Sequence, residues 1–119
     1  MPRITSELFV GALIRRVADA GGSAVVARRG SAEAGAVYIT VWKPEAGTYR
    51  LYEPQSSFED GLELIGGRLF RLHPASFFQL ELNDKLDAES RFDPDFWQVD
   101  IENLTLDIDE LISVASGDG

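Results

Sequence analysis

The densest run of side chains that could do chemistry is Arg91-Phe92-Asp93-Pro94-Asp95-Phe96-Trp97. Two carboxylates stand one proline apart, and Asp100 and Glu102 follow close behind. Clustered carboxylate oxygens suit hard cations such as Mg²⁺ and Ca²⁺. Paired acids can also run general acid–base chemistry when burial raises one pKa. A calcium loop, however, needs regularly spaced ligands and a glycine at its sharp turn, and this run has a proline instead. The simpler reading is a rigid helix-to-strand corner. Aspartate side chains bond nearby backbone N–H groups, Pro94 fixes the bend, and the aromatics anchor it to the core.

Other chemistries find little support. There is no cysteine, which excludes a thiol nucleophile, a disulfide scaffold and Cys-type zinc sites. The one histidine, His73, precedes Pro74 and reads as structural. No Gly-x-Ser-x-Gly elbow occurs. Gly30, Gly35, Gly61, Gly66 and Gly67 match neither a phosphate loop nor a dinucleotide fingerprint. No catalytic residue, metal or cofactor is implied.

Charge is the second signal. The chain of 119 residues has 11 basic and 20 acidic side chains, net −9. Up to Tyr52 the balance is 7 − 4 = +3, and beyond it 4 − 16 = −12. Either the asymmetry marks a binding surface or the two halves pair inside one fold. Arg15-Arg16 and Arg28-Arg29 are the two basic doublets. A net-acidic chain repels nucleic acid, yet a local arginine cluster can still grip a single carboxylate or phosphate. No apolar run approaches the ~18 residues of a membrane span, and the N-terminus lacks the layout of a signal peptide. The expectation is a cytoplasmic protein with a protein partner, a second copy of itself included, and no membrane contact.

The elements that must position these residues follow from periodicity. Thr5 or Ser6 caps a helix starting near Glu7, with Phe9, Leu13 and Val17 on its apolar face and Gly21-Gly22 at its end. Ser23–Arg29, Ala36–Lys43 and Thr48–Glu53 read as strands, joined by turns at 30–35 and 44–47 into an antiparallel meander. Residues 54–61 read as a loop. Leu62–Leu72 is one strand or two, stopped by His73-Pro74. Ser76 caps a second helix reaching Arg91. Trp97, Val99 and Ile101 alternate as a half-buried strand. Asp107 and Glu110 form a capping-box pattern before a short closing helix, and 116–119 is a frayed tail. Phe77 and Phe78 are adjacent, so a helix leaves one of them outward, which suits a partner contact.

Three blocks carry a family resemblance. They are Thr5 to Arg16; Gly22, Ala24, Val26, Arg28-Arg29-Gly30 and Ala34 to Val37; and Arg91 to Trp97 with Val99, Ile101 and Glu102. In this order they resemble the small bacterial domain-of-unknown-function family 1491. The chain departs from that pattern at Asn103, where a second acid is usual, at Asp100, where Glu is commoner, and through 54–79. The resemblance implies a single, complete, non-secreted bacterial domain and transfers no activity.

The expected fold is α+β, one domain over 1–119. An antiparallel sheet of four to five strands carries its helices mainly on one face, in the order α-β-β-β-(β)-α-β-α. The expected function is a non-enzymatic adaptor. Its candidate binding residues are Arg15, Arg16, Arg28, Arg29, Arg91, Asp93, Asp95 and Trp97. The alternative is a small-ligand or divalent-metal protein using Asp93, Asp95, Asp100 and Glu102.

Overall fold

In the computed structural model, residues 3–56 and 63–115 are described. The 116–119 tail, the end of the 54–61 loop and Leu62 lie outside them. Thr5 caps helix α1 (Ser6–Asp19), its hydroxyl accepting from Leu8 N–H at 3.3 Å. Phe9, Val10, Leu13 and Val17 form its buried stripe. The helix closes with a paired glycine cap. Gly21 N–H donates to the Ala18 carbonyl and Gly22 N–H to that of Val17, with Gly21 at φ +84°.

Six strands follow: β1 (Ser23–Arg28), β2 (Ala36–Lys43), β3 (Thr48–Gln55), β4 (Leu69–Phe77), β5 (Phe96–Glu102) and β6 (Ser113–Val114). Helix α2 (Gln79–Phe92) lies between β4 and β5 in the chain. The strands form one mixed sheet in the order β1-β5-β2-β3-β4-β6. The α+β class holds, but the all-antiparallel sheet of four to five strands does not. β5 inserts between β1 and β2, antiparallel to the first and parallel to the second. Residues 30–35 are therefore not a hairpin turn. Their carbonyls take up the donors at the start of α1 instead: Ser6 N–H reaches Glu33 O at 3.1 Å and Glu7 N–H reaches Ala32 O at 2.9 Å.

The helices do not share a face. β5 and β2 bury side chains of both parities, as central strands do. Val37, Ile39, Val41, Trp97, Val99 and Ile101 meet α1, joined by Ile108, Leu111 and Ile112. Phe96 and Leu51 meet Leu82 and Leu86 of α2 on the other side.

Two boundaries are also corrected. His73-Pro74 does not stop β4, because a bulge takes the proline. Arg50 pairs with Ser76 and Tyr52 with Leu72, so 73–75 stand opposite Leu51 alone. Ala75 N–H is satisfied by His73 Nδ1 at 3.0 Å. Ser76 thus belongs to a strand, and α2 starts after Phe78, whose N–H donates to Glu81 at 2.8 Å. Phe77 packs against the α2 core, while Phe78 is the outward one, 62% exposed. The expected closing helix is a single 3-10 turn (Ile108–Glu110), after which β6 pairs in parallel with Leu69 and Phe70. Asp107 caps nothing with its side chain. Among the described residues no helix is long and apolar enough to cross a membrane.

Each helix buries its apolar stripe against the same sheet. Leu13→Ala (α1) and Leu82→Ala (α2) should each cost about 2–5 kcal/mol in denaturant unfolding. In each variant, tryptophan fluorescence and far-UV circular dichroism should give coincident transitions.

Candidate functional site

The acidic corner is built from its backbone outward. Asp93 ends α2, and its Oδ1 accepts from Asp95 N–H at 3.0 Å across Pro94. Asp95 then reaches the 30–35 loop. Its Oδ1 accepts from Ser31 N–H at 2.6 Å and its Oδ2 from Ser31 Oγ at 2.9 Å. The Ser31 carbonyl in turn accepts from Trp97 Nε1–H at 2.8 Å. Three residues close a ring between loop and strand. The fit needs glycine at position 30, where a Cβ would lie 2.8 Å from the Phe96 carbonyl carbon and 2.9 Å from Trp97.

The arginine doublet straddles this corner. Arg28 donates to the Pro94 carbonyl at 2.9 Å and its guanidinium lies 4.3 Å from the Phe96 ring centroid. Arg29 lies 4.8 Å from the Trp97 centroid and donates to Glu7 at 2.6 Å. Phe96 and Trp97 are successive strand residues and face opposite sides of the sheet, so the two cations flank its edge. Buried aromatic rings hold both guanidiniums by cation–π contact.

Of the residues singled out from sequence, the structure therefore brings Arg28, Arg29, Asp93, Asp95 and Trp97 together. It leaves three outside. Arg15 and Arg16 are exposed, about two helical turns along α1 from Glu7. Arg16 donates to the Leu111 carbonyl at 3.4 Å. Arg91 is exposed near the end of α2 and joins none of the described ion pairs. Nor do the four carboxylates converge. Asp95 is engaged by Ser31, while Asp100 accepts from Thr40 Oγ1 and Gln98 Nε2, each at 2.8 Å. Among the described residues no three His, Cys, Asp or Glu are grouped to hold a metal.

A second polar cluster escaped the sequence reading. Glu53 is 8% exposed, between sheet and α2. It accepts from Arg71 at 2.9 Å and lies 3.8 Å from Lys85, which also pairs with Glu89 at 3.1 Å. Burial chiefly, then the charges of Glu89, Glu53 and Asp93, push the Tyr38 phenol up to about 12. The available signal was Glu53 itself, an acid on the strand parity of Tyr49 and Leu51.

Two predictions follow from these contacts. Asp95→Ala should lower unfolding free energy by about 1–3 kcal/mol by orphaning Ser31. Millimolar Mg²⁺ should leave the melting temperatures of wild type and variant equally unmoved; stabilisation of the wild type alone would restore the metal reading. Tyr38 binds its proton more tightly in the folded than in the unfolded chain. Its contribution is then complete below the unfolded value near 10 and is lost as pH rises from there through about 12. Tyr38→Phe should flatten that alkaline fall in a pH series of denaturation midpoints.

Comparison with known proteins places this geometry in context. A family model described as "Protein of unknown function (DUF1491)" matches residues 4–107. The solution structure of an A. tumefaciens protein is 38% identical, with 97% of each chain covered and a TM-score of 0.79. The crystal structure of a DUF1491 family protein from Caulobacter crescentus is 30% identical, covering 97% of this chain and 100% of that one, TM-score 0.73. An NMR structure of a DUF1491 family protein from the same organism is likewise 30% identical, covering 98% and 100%, TM-score 0.73. No curated protein matches the chain.

Proposed function

We propose that this chain, which belongs to the DUF1491 family, is a non-enzymatic cytoplasmic interaction module. It docks an extended acidic segment of a partner protein along the free edge of β1. The observation that carries this reading is the contrast between the two ends of the sheet. At one end, β6 is two residues long and β4 is bulged around Pro74, two devices that blunt an edge. At the other, no described strand covers β1, whose ladder with β5 runs regularly from Ser23 to Val26 and shifts register only before Arg28, and Val25 and Val26 are 55% and 38% exposed. An open row of backbone donors and acceptors with apolar side chains is the surface used in strand addition. Arg28 and Arg29 stand at the end of that row, one on each face, held over aromatic rings. They would meet acids at neighbouring positions of an added strand, which alternate between faces in the same way. The metal-dependent alternative is not preferred, since Asp93, Asp95 and Asp100 are each engaged by protein donors and the four carboxylates do not converge.

The test uses isotope-labelled full-length protein and a capped peptide of alternating Val and Thr flanked by Glu. The peptide should shift the Ser23–Val26 amide resonances saturably, and a Lys-flanked counterpart should not. Arg28→Ala and Arg29→Ala should each weaken binding by up to about 1 kcal/mol, roughly fivefold, and more at low salt than high. Amides of β1 that do not respond would end the reading. Shifts that depend on protein concentration without peptide would replace the partner by a second copy.

A further inference from the structure

A cleft of about 310 Å³ opens on the α1 side of the β2–β3 hairpin, at the opposite end of β2 and β5 from the acidic corner. One wall is the hairpin, where Val41 pairs with Arg50 and Lys43 pairs with Thr48. This register puts Lys43 and Arg50 on the same face. The other wall is the segment after β5, which contributes Leu104, Leu106, Asp107 and Asp109. Two cations thus share the cleft with two carboxylates, and its exposed lining is mainly polar. Opposite charges sharing a cleft ordinarily pair. Yet none of the four ion pairs among the described residues includes Lys43, Arg50, Asp107 or Asp109. The wall charges stand apart and leave a field running across the gap, which low-dielectric walls focus.

Tyr52 also lines the cleft. It is 4% exposed. Burial raises its phenol pKa; the nearby Arg50 guanidinium opposes that shift, and the carboxylates of Asp109 and Asp107 add to it. The hydroxyl therefore lies under the influence of both walls. The volume is at the small end of ligand pockets, which run from roughly 300 Å³ upward.

We infer that this cleft binds a small zwitterion, of the class of a free amino acid or a dipeptide. The ligand carboxylate lies toward Arg50 and Lys43. Arginine supplies the planar fork that carboxylates prefer. The ligand ammonium lies toward Asp107 and Asp109, and a side chain such as that of leucine lies against Leu104 and Leu106. A molecule bearing one charge leaves the opposite wall unanswered. A cation or anion alone is therefore the wrong ligand, as is a nucleotide, whose several negative charges would face two aspartates. This inference is independent of the β1 edge, which involves none of these residues.

The experiment is calorimetric and NMR titration of the full-length protein with leucine, Leu-Leu, N-acetyl-Leu-Leu and Leu-Leu amide. Saturable shifts at Lys43, Arg50, Leu106 and Asp109 amides are expected with leucine or Leu-Leu, and the tighter of the two assigns the source. Removing either charge of Leu-Leu by capping should weaken its binding about tenfold, the scale of one lost charge-assisted contact. Arg50→Gln should abolish the discrimination against the amide while keeping that against the acetylated form. Asp107→Asn with Asp109→Asn should do the reverse. All three side chains are exposed, so the variants are expected to fold, and their one-dimensional spectra report it. Binding that ignores both caps, or no saturable shift with any of the four probes, overturns the inference.

Discussion

The sheet depends on the 30–35 connection facing two ways at once. Toward α1 it offers the carbonyls of Ala32, Glu33 and Gly35 to Glu7 N–H, Ser6 N–H and Ser6 Oγ. Toward β5 it offers the Ser31 N–H, hydroxyl and carbonyl to Asp95 and Trp97. A chain leaving β1 could fold straight back as a hairpin only by breaking one of these sets. By making both, it opens a gap one strand wide, and β5 fills it with side chains buried on both faces. Trp97, Val99 and Ile101 then lie under α1 while Phe96 lies under α2. The arrangement of helices on opposite faces follows from that central strand having two apolar faces to cover.

The start of α1 is also where the fold buries charge. Arg68 is 5% exposed and carries no ion pair among the described residues. It donates to Ile4 O and Ser6 Oγ, each at 3.0 Å, and lies 5.4 Å from the Phe9 ring centroid. Burial chiefly, with Arg3 nearby, lowers its pKa to about 10. The hydrogen bonds offset part of the desolvation. Ser6 is therefore a junction: its hydroxyl donates to Gly35 O and accepts from Arg68, tying β4 to the loop that admits β5. Glu53 plays the matching part on the other face, joined to Arg71 within the sheet and facing Lys85 of α2. Each helix is thus held to the sheet by one mostly apolar stripe and one buried charge.

What could be read from residues alone divides along the range of the forces involved. Helix α1, its glycine stop, the strands at 23–28 and 36–43, the third strand as far as Glu53 and the strand after Pro94 all follow from local spacing, whereas Pro54 and Gln55, read as loop, extend β3. The Asp-Pro-Asp corner was legible as a corner for the same reason: the Asp93 bond to Asp95 spans two residues. Its other half was not legible, because Ser31 is 64 residues from Asp95 and no local pattern singles out one serine in a loop. Strand order failed likewise. Two strands separated by a six-residue glycine-bounded turn look like a hairpin, and only the competing bonds of 31–35 say otherwise. Pro74 misled in the opposite direction. Its rule is sound for a regular ladder, and the bulge opposite Leu51 is how β4 escapes it.

The lopsided charge has a physical reading that the ion pairs decide. If the basic first half and the acidic second half had simply neutralised each other, salt bridges would cross between them. None of the four described pairs does. Arg29 pairs with Glu7 inside the first half, and Arg71, Lys85, Glu53 and Glu89 pair inside the second. The arginines that do cross, Arg16, Arg28 and Arg68, reach the carbonyls of Leu111, Pro94 and Ile4, and those bonds leave their charge uncancelled. Internal pairing therefore does not remove the asymmetry, which survives as field at the surface. Part of it stands at the β1 edge, where Arg28 is in none of the described ion pairs, and part at the hairpin cleft, where Lys43 and Arg50 share the lining with Asp107 and Asp109. A fold that needed those charges only for solubility could have scattered them. Gathering them beside an unpaired backbone and across an unfilled cleft gives both places something to recognise.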